Sequence, residues 1–344
     1  MSAKTPLMSV RDLRVHFPLP SGLFAETRMV KAVDGVSFDL YAGETLGIVG
    51  ESGCGKSTLG RAVLRLIPPT AGTVVWLGQD LKAADKRQMR ALRQDMQIIF
   101  QDPLAALDPR MTVGAIIAEP LDTFEPNLPK TEREARVAET MQRVGLSPAL
   151  INRYAHEFSG GQCQRIGIAR AMILKPKLVV CDEPVSALDV SIQAQIVNLL
   201  RKLQREENLA LIFISHNLAV VRLISSRVMV LYLGKVAELA DRDEIYRNPR
   251  HPYTQALLSA VPVPDPDFER SKKRISLTGD LPSPINPPSG CVFRTRCPIA
   301  IDRCATQAPQ LEAVTDSHTV SCHRWREAIQ LLEPAIATVT TAAS

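Results

Sequence analysis

No stretch of this chain approaches the roughly 18 uninterrupted apolar residues of a membrane-spanning helix; the runs LALIFIS and EPAIATVTTAAS are both too short. The opening MSAKTPLMSV has no apolar core behind a basic leader, so no secretory signal is expected. Charge of one sign is scarce as well. The 41 Lys and Arg set against 36 Asp and Glu leave +5, without a dense basic run, and this argues against a nucleic-acid partner. Cysteines number seven, an odd count in a chain without a signal, which argues against a disulfide framework. Taken alone, such a chain is expected to be soluble and cytosolic.

What is present is a globular composition, 45% hydrophobic and 22% charged over 344 residues, long enough for about two domains. LMSVRDLRVHF and KAVDGVSFDL read as strands, and ETLGIVG as a short apolar strand ending in glycine. SGCGKSTLGRAVLRLI then has helical spacing until Pro68-Pro69 stops it. Between 102 and 176 the pattern is helical, in VGAIIAEPL, REARVAETMQRVGL and QRIGIARAMIL. Strands return with KLVVCDEP, LALIFISH and RVMVLYLG, separated by helices, the first of them QAQIVNLLRKLQREEN. The alternation predicts an α/β parallel-sheet core, residues 7–101 with 177–260, interrupted by a helical insertion at 102–176. Proline rises sharply from about residue 261, in VPVPDPD and LPSPINPPSG, which marks a boundary near 260 and a separate segment, 261–344.

Gly50-Glu51-Ser52-Gly53-Cys54-Gly55-Lys56-Ser57 matches G-x-x-x-x-G-K-[ST] and lies between an apolar strand and a helix. Glycines let successive backbone N–H groups curl around phosphate oxygens, and the helix start adds its positive dipole end. Lys56 is expected to reach the β- and γ-phosphates, and Ser57 to hold Mg²⁺. LVVCDEP ends a strand with two carboxylates, where Asp182 can hold Mg²⁺ and Glu183 can polarise a water.

Upstream of that strand, FSGGQCQRIGIARA opens a helix with Ser159, Gly160, Gly161 and Gln162. With this motif the chain resembles the ATP-binding cassette ATPases, and further elements follow in the family's order: Gln101 in IIFQDP, Asp189 in SALD and His216 in IFISH. The resemblance implies a P-loop NTPase (RecA-like) fold with an N-terminal antiparallel β subdomain, an inserted α-helical subdomain and an irregular cysteine-rich extension. It implies ATP and Mg²⁺ as ligands of Gly50 through Thr58, with Gln101 sensing Mg²⁺, Glu183 as general base and His216 at the γ-phosphate. Phe17 in RVHFP is similar in position to the residue that stacks on adenine, with a core or surface phenylalanine as the alternative. Ser159, Gly160, Gly161, Gln162 and Asp189 would face the ATP of a second cassette, so a dimer with another polypeptide is expected, usually a paralogue. Phe158 replaces the family's usual leucine and Cys163 a more usual polar residue. Glu183 and His216 both match, so a hydrolysis-dead site is not expected.

The chain holds one cassette and no long coiled coil, unlike ribosome factors and repair ATPases of the family. RNPRHPYTQALLSAVP, the tail GCVFRTRCP and VHFPLPSGLF resemble the ATPase subunits of dipeptide and oligopeptide importers, the last segment the second ATPase subunit in particular. The resemblance implies a peripheral subunit on the cytoplasmic face of the inner membrane. Its partners would be two transmembrane permease subunits and an extracytoplasmic peptide-binding protein. A soluble cassette ATPase that clamps nucleic acid, or regulates, is the alternative.

Four cysteines fall in the last sixty residues: Cys291, Cys297, Cys304 and Cys322, with five, six and seventeen residues between them. Structural zinc sites carry a gap of about two to four residues within each pair, which is absent here. Four thiolates on irregular chain, stiffened by Pro282, Pro284, Pro287, Pro288 and Pro298, suit the larger body of a [4Fe–4S] cluster. Zinc and plain reduced cysteines stay open as alternatives, and the resemblance points to the cluster. Cys54 and Cys181 read as small residues that fit beside the nucleotide. His318 and His323 could be spare ligands, exposed loop histidines being the simpler reading.

Overall fold

The computed structural model describes residues 5–19, 28–262, 266–271 and 274–329. Residues 20–24 of the VHFPLPSGLF insertion, part of VPVPDPD and the terminal EPAIATVTTAAS lie outside them.

Among the described residues the strands are β1 (Met8–Pro18), β2 (Met29–Leu40), β3 (Thr45–Val49), β4 (Ala71–Trp76), β5 (Gln79–Asp80), β6 (Met96–Ile99), β7 (Leu178–Asp182), β8 (Ala210–Ile214), β9 (Arg227–Tyr232), β10 (Lys235–Asp241), β11 (Glu312–Thr315) and β12 (His318–Val320). The helices are α1 (Lys56–Val63), α2 (Lys86–Asp95), α3 (Val113–Phe124), α4 (Lys130–Arg143), α5 (Gly160–Met172), α6 (Val190–Glu207), α7 (Leu218–Ile224), α8 (Arg242–Arg247), α9 (Pro252–Ser259), α10 (Pro266–Ser271) and α11 (Asp302–Thr306). They divide into two compact units, one built mainly from residues 75–215 and the other from 9–38, 46–74 and 216–344.

In the first unit β6, β7 and β8 run parallel, with Val180 opposite both Ile98 and Ile212. Every residue of β7 and β8 is buried, as expected of a parallel sheet covered on both faces, and this explains why LVVC, ahead of Asp182, and ALIFI are unbroken apolar runs. Helix α6 buries Ile196, Val197, Leu199, Leu200 and Leu203, one stripe at helical spacing, and stops where Asn208 turns left-handed at φ 50°. Helices α3, α4 and α5 pack on one another, and α5 also packs on β6 and α6. Thr112 caps α3 by accepting from the Ala115 N–H, and Arg143 at the end of α4 is paired with Glu207 at 2.5 Å.

In the second unit β3 lies parallel to β9, β9 antiparallel to β10, and β10 antiparallel to β12, which pairs in turn with β11. A separate antiparallel layer carries β2 beside β1. Along β1 the alternation of buried Val10, Leu13 and Val15 slips by one residue at Arg11 and Asp12, where Asp12 takes φ 45° and its N–H bonds the Ser37 hydroxyl at 2.8 Å. The structure differs from expectation in two places. Helix α1 ends at Val63 instead of running to the prolines, because Arg65 is already left-handed at φ 51°. The cysteine-rich segment is not wholly irregular: it contributes α11 and the β11–β12 hairpin, and the sequence hides this because strands of four and three residues show no period.

Candidate functional site

The second unit holds the phosphate loop. Gly50, Gly53 and Gly55 have φ of 152°, 78° and 103°, so the turn needs residues free of a β-carbon. Space demands the same, since a β-carbon on Gly55 would run into the Ala32 carbonyl oxygen. Lys56 is buried, and its ammonium donates to the Gly50 carbonyl at 2.9 Å and the Glu51 carbonyl at 3.0 Å, closing the loop on itself. Ser52 and Gly53 are exposed at the tip, Ser57 and Thr58 half-buried on the first turn of α1. Cys54 is buried beneath the loop, where desolvation pushes its thiol up and keeps it neutral. In the same unit His216 is exposed just ahead of α7, and Phe17 is 39% exposed near the end of β1.

The carboxylates lie in the first unit. Asp182 ends β7 and is buried, while Glu183 follows at φ 48°, held there by its N–H to the Ile214 carbonyl at 3.1 Å. Gln101 donates through Nε2 to Glu183 Oε2 at 3.2 Å, which brings together two residues 82 positions apart. Cys181 is fully buried beside them with its thiol pushed up by desolvation.

The signature segment opens α5. Ser159 is its N-cap, and Ser159 N–H bonds Gln162 Oε1 at 3.0 Å while the Ser159 hydroxyl accepts from the Gln162 N–H at 3.4 Å. Ser159 and Gly160 are exposed, whereas Gly161 is buried with Ile192 Cγ2 2.6 Å from where its β-carbon would stand. Asp189, exposed, precedes α6 without using its side chain as a cap. Cys163 is buried and bonds the Ala155 carbonyl at 3.4 Å.

The tail cysteines gather in the second unit. Cys291 N–H bonds the Cys304 carbonyl at 2.8 Å, and Cys322 lies within electrostatic reach of Cys291, Cys297 and Cys304. Burial pushes the Cys297 thiol up to about 11 and that of Cys322 up to about 12, favouring the neutral form. Among the described residues no group of three or more His, Cys, Asp or Glu side chains could hold a metal ion, so the expected iron–sulfur or zinc centre finds no support in the structure. His318 is not an exposed loop residue either: it is fully buried on β12, with Nε2 2.7 Å from Glu238 Oε1. His323 meets the Gln307 carbonyl at 2.9 Å.

Two contacts of the phosphate loop were invisible in the sequence. Arg296, between Cys291 and Cys297, forks the Glu51 carboxylate at 2.7 and 3.1 Å. Tyr253 of α9 accepts the Glu51 N–H on its hydroxyl at 2.9 Å. Partners 245 and 202 residues away leave no local signal; only the position of Glu51 inside a phosphate loop could have marked it.

Comparison with known proteins agrees with this geometry. Residues 33–186 match the ABC transporter family model, and residues 237–304 match the oligopeptide/dipeptide transporter C-terminal region. The chain is 62% identical to the oligopeptide transport ATP-binding protein OppF of Salmonella typhimurium, over 92% of this chain and 95% of that protein. It is 61% identical to OppF of Escherichia coli over the same shares, and 56% identical to a putative peptide import ATP-binding protein of Brucella ovis, over 93% and 98%. Among solved structures, the cassette MJ0796, dimeric and bound to ADP and Pi, aligns with a TM-score of 0.62 at 26% identity, covering 68% of this chain and 98% of that one. CbiO1 of Clostridium perfringens, part of an ABC transporter complex, aligns at 0.61 and 25%, covering 71% and 92%.

The fold is thus that of an ATP-binding cassette. The chain belongs to the ABC transporter ATP-binding subunits, in the oligopeptide/dipeptide transporter family, and is an ATPase of that type.

Proposed function

We propose that this chain energises a bacterial importer of oligopeptides or dipeptides, hydrolysing ATP on the cytoplasmic face of the inner membrane. The observation that carries the reading is identity above 60% to oligopeptide transport ATP-binding proteins over nine-tenths of the chain, the C-terminal region included. Residues 1–260 act as the cassette, 102–176 as its helical arm toward two permease subunits, and 261–344 as the importer-type extension. Among the described residues no helix is long and apolar enough to cross a membrane, which suits a peripheral subunit.

The phosphate loop Gly50–Ser57, with Thr58, binds ATP; Lys56 meets the β- and γ-phosphates, and Ser57, Gln101 and Asp182 hold Mg²⁺. Glu183 takes the proton of the attacking water, and His216 contacts the γ-phosphate. Phe17 stacks on adenine. The exposed Ser159, Gly160 and Asp189, with the half-buried Gln162, face the nucleotide of a second, paralogous cassette, and Gly161 lets α5 begin close to Ile192. Closure of the two cassettes on ATP moves the channel, and hydrolysis reopens it.

The [4Fe–4S] reading of the tail rests on four thiols grouped within electrostatic reach of one another. Iron and sulfide analysis of anaerobically purified protein, beside a variant with Cys297 and Cys304 as serine, tests it.

The test of the main reading is uptake of a labelled oligopeptide by cells whose own copy carries Glu183→Gln. Loss of uptake is expected. Unchanged uptake, together with hydrolysis stimulated by DNA or RNA, would favour the soluble clamp instead.

A further inference from the structure

The phosphate loop contains a carboxylate where an anion is to bind. Glu51 follows Gly50, its backbone carbonyl accepts from the Lys56 ammonium at 3.0 Å, and its charge acts on Cys54 of the same loop, so the carboxylate springs from the backbone that is to cradle the triphosphate. A negative charge there repels ATP at a range that physiological salt screens only partly. The Glu51 carboxylate is met by a fork, Arg296 Nη1 to Oε2 at 2.7 Å and Nη2 to Oε1 at 3.1 Å, with the Arg296 side chain only 9% exposed. Two parallel charge-assisted bonds fix the plane of the carboxylate as well as neutralising it.

Arg296 is itself held. Phe293, three residues earlier, is buried and stands edge-on to Tyr232 at 5.1 Å and tilted against Tyr253 at 5.4 Å. Tyr253 is the residue whose hydroxyl accepts the Glu51 N–H. Glu51 is therefore gripped at its backbone by α9 and at its side chain by the cysteine-rich loop, and one aromatic cluster underlies both contacts.

We propose that Arg296 is a positioning residue for ATP, cancelling the Glu51 charge and holding the phosphate loop open to the nucleotide, so that ATP affinity depends on the folded tail. The proposal rests on the reading that Gly50–Ser57 cradles the phosphates.

The experiment is equilibrium binding of a fluorescent trinitrophenyl-ATP to the full-length chain, with unlabelled ATP as competitor. Arg296→Ala is expected to weaken ATP about tenfold at low salt and less at high salt. Arg296→Lys recovers part of the loss, because an ammonium neutralises without forking. Adding Glu51→Gln to Arg296→Ala recovers at least half of it, which a purely structural role for the arginine would not allow. Native affinity in Arg296→Ala, or no recovery in the double variant, overturns the proposal. If Arg296→Ala does not fold, Arg296→Lys decides in its place: a loss of about threefold that Glu51→Gln reverses supports the proposal, and no loss overturns it. Lys56→Ala separates the underlying reading, since ATP binding unchanged in that variant would mean the loop does not hold phosphate at all.

Discussion

Glu238 and His318 face each other at 2.7 Å with side chains 0% and 1% exposed, 80 residues apart in sequence. Glu238 also accepts the N–H of Arg250 at 2.6 Å and of His251 at 3.0 Å, so one carboxylate ties β10, the start of α9 and the tail hairpin together. His318→Ala would leave that carboxylate buried and short of a partner. A loss of about 3 kcal/mol is expected, read as a lower midpoint in urea denaturation of the full chain.

His251 gives the fold a pH dependence. Burial pushes its folded pKa down to about 4, while the unfolded chain titrates near 6.5. Between these values the unfolded state binds the extra proton, so stability falls as pH drops from about 6.5 toward 4, by at most about 1.4 kcal/mol per unit, and levels off below. His251→Asn keeps the capping acceptor that His251 Nδ1 offers the Tyr253 N–H at 3.0 Å but does not titrate. Denaturation midpoints of this variant, measured from pH 7 to 4, should be flatter by the contribution of one group.

Gly55→Ala should abolish ATP binding. The new methyl would meet the Ala32 carbonyl oxygen, a backbone atom that cannot turn aside, and φ of 103° is strained for any residue with a β-carbon. Circular dichroism close to the native chain, with loss of nucleotide binding by titration, is the expected pair of results.

Glu183→Gln should lower phosphate release by about 10²- to 10⁴-fold while ATP still binds, as removal of a general base does. Gln101→Ala removes the amide that holds Glu183 Oε2 at 3.2 Å, and a smaller fall in release rate is expected. Stopped-flow phosphate detection measures both.

The parallel strands and long helices were legible because burial on two faces writes itself as runs such as LVVC and ALIFI, and burial of one stripe as the spacing of α6. The phosphate loop was legible because its glycines answer a local backbone requirement. Short elements were not: β5 has two residues and β12 three, lengths at which no period exists. The anchors of Glu51 were not either, since a fork from Arg296 depends on where distant chain returns. His318 misled for the same reason, a loop-like neighbourhood in sequence that proves to be a strand against Glu238.

The pairing of Glu238 with Val320 and Leu239 with Thr319 also bears on how this chain can be cut. Proline content marks a tempting truncation point near residue 260, yet a fragment ending there would bare one rim of β10, with its amides and carbonyls open to any passing strand. Such rims seed aggregation. A shortened cassette would thus tend to precipitate, and poor solubility of the fragment would speak of a missing neighbour strand and not of a defective nucleotide fold.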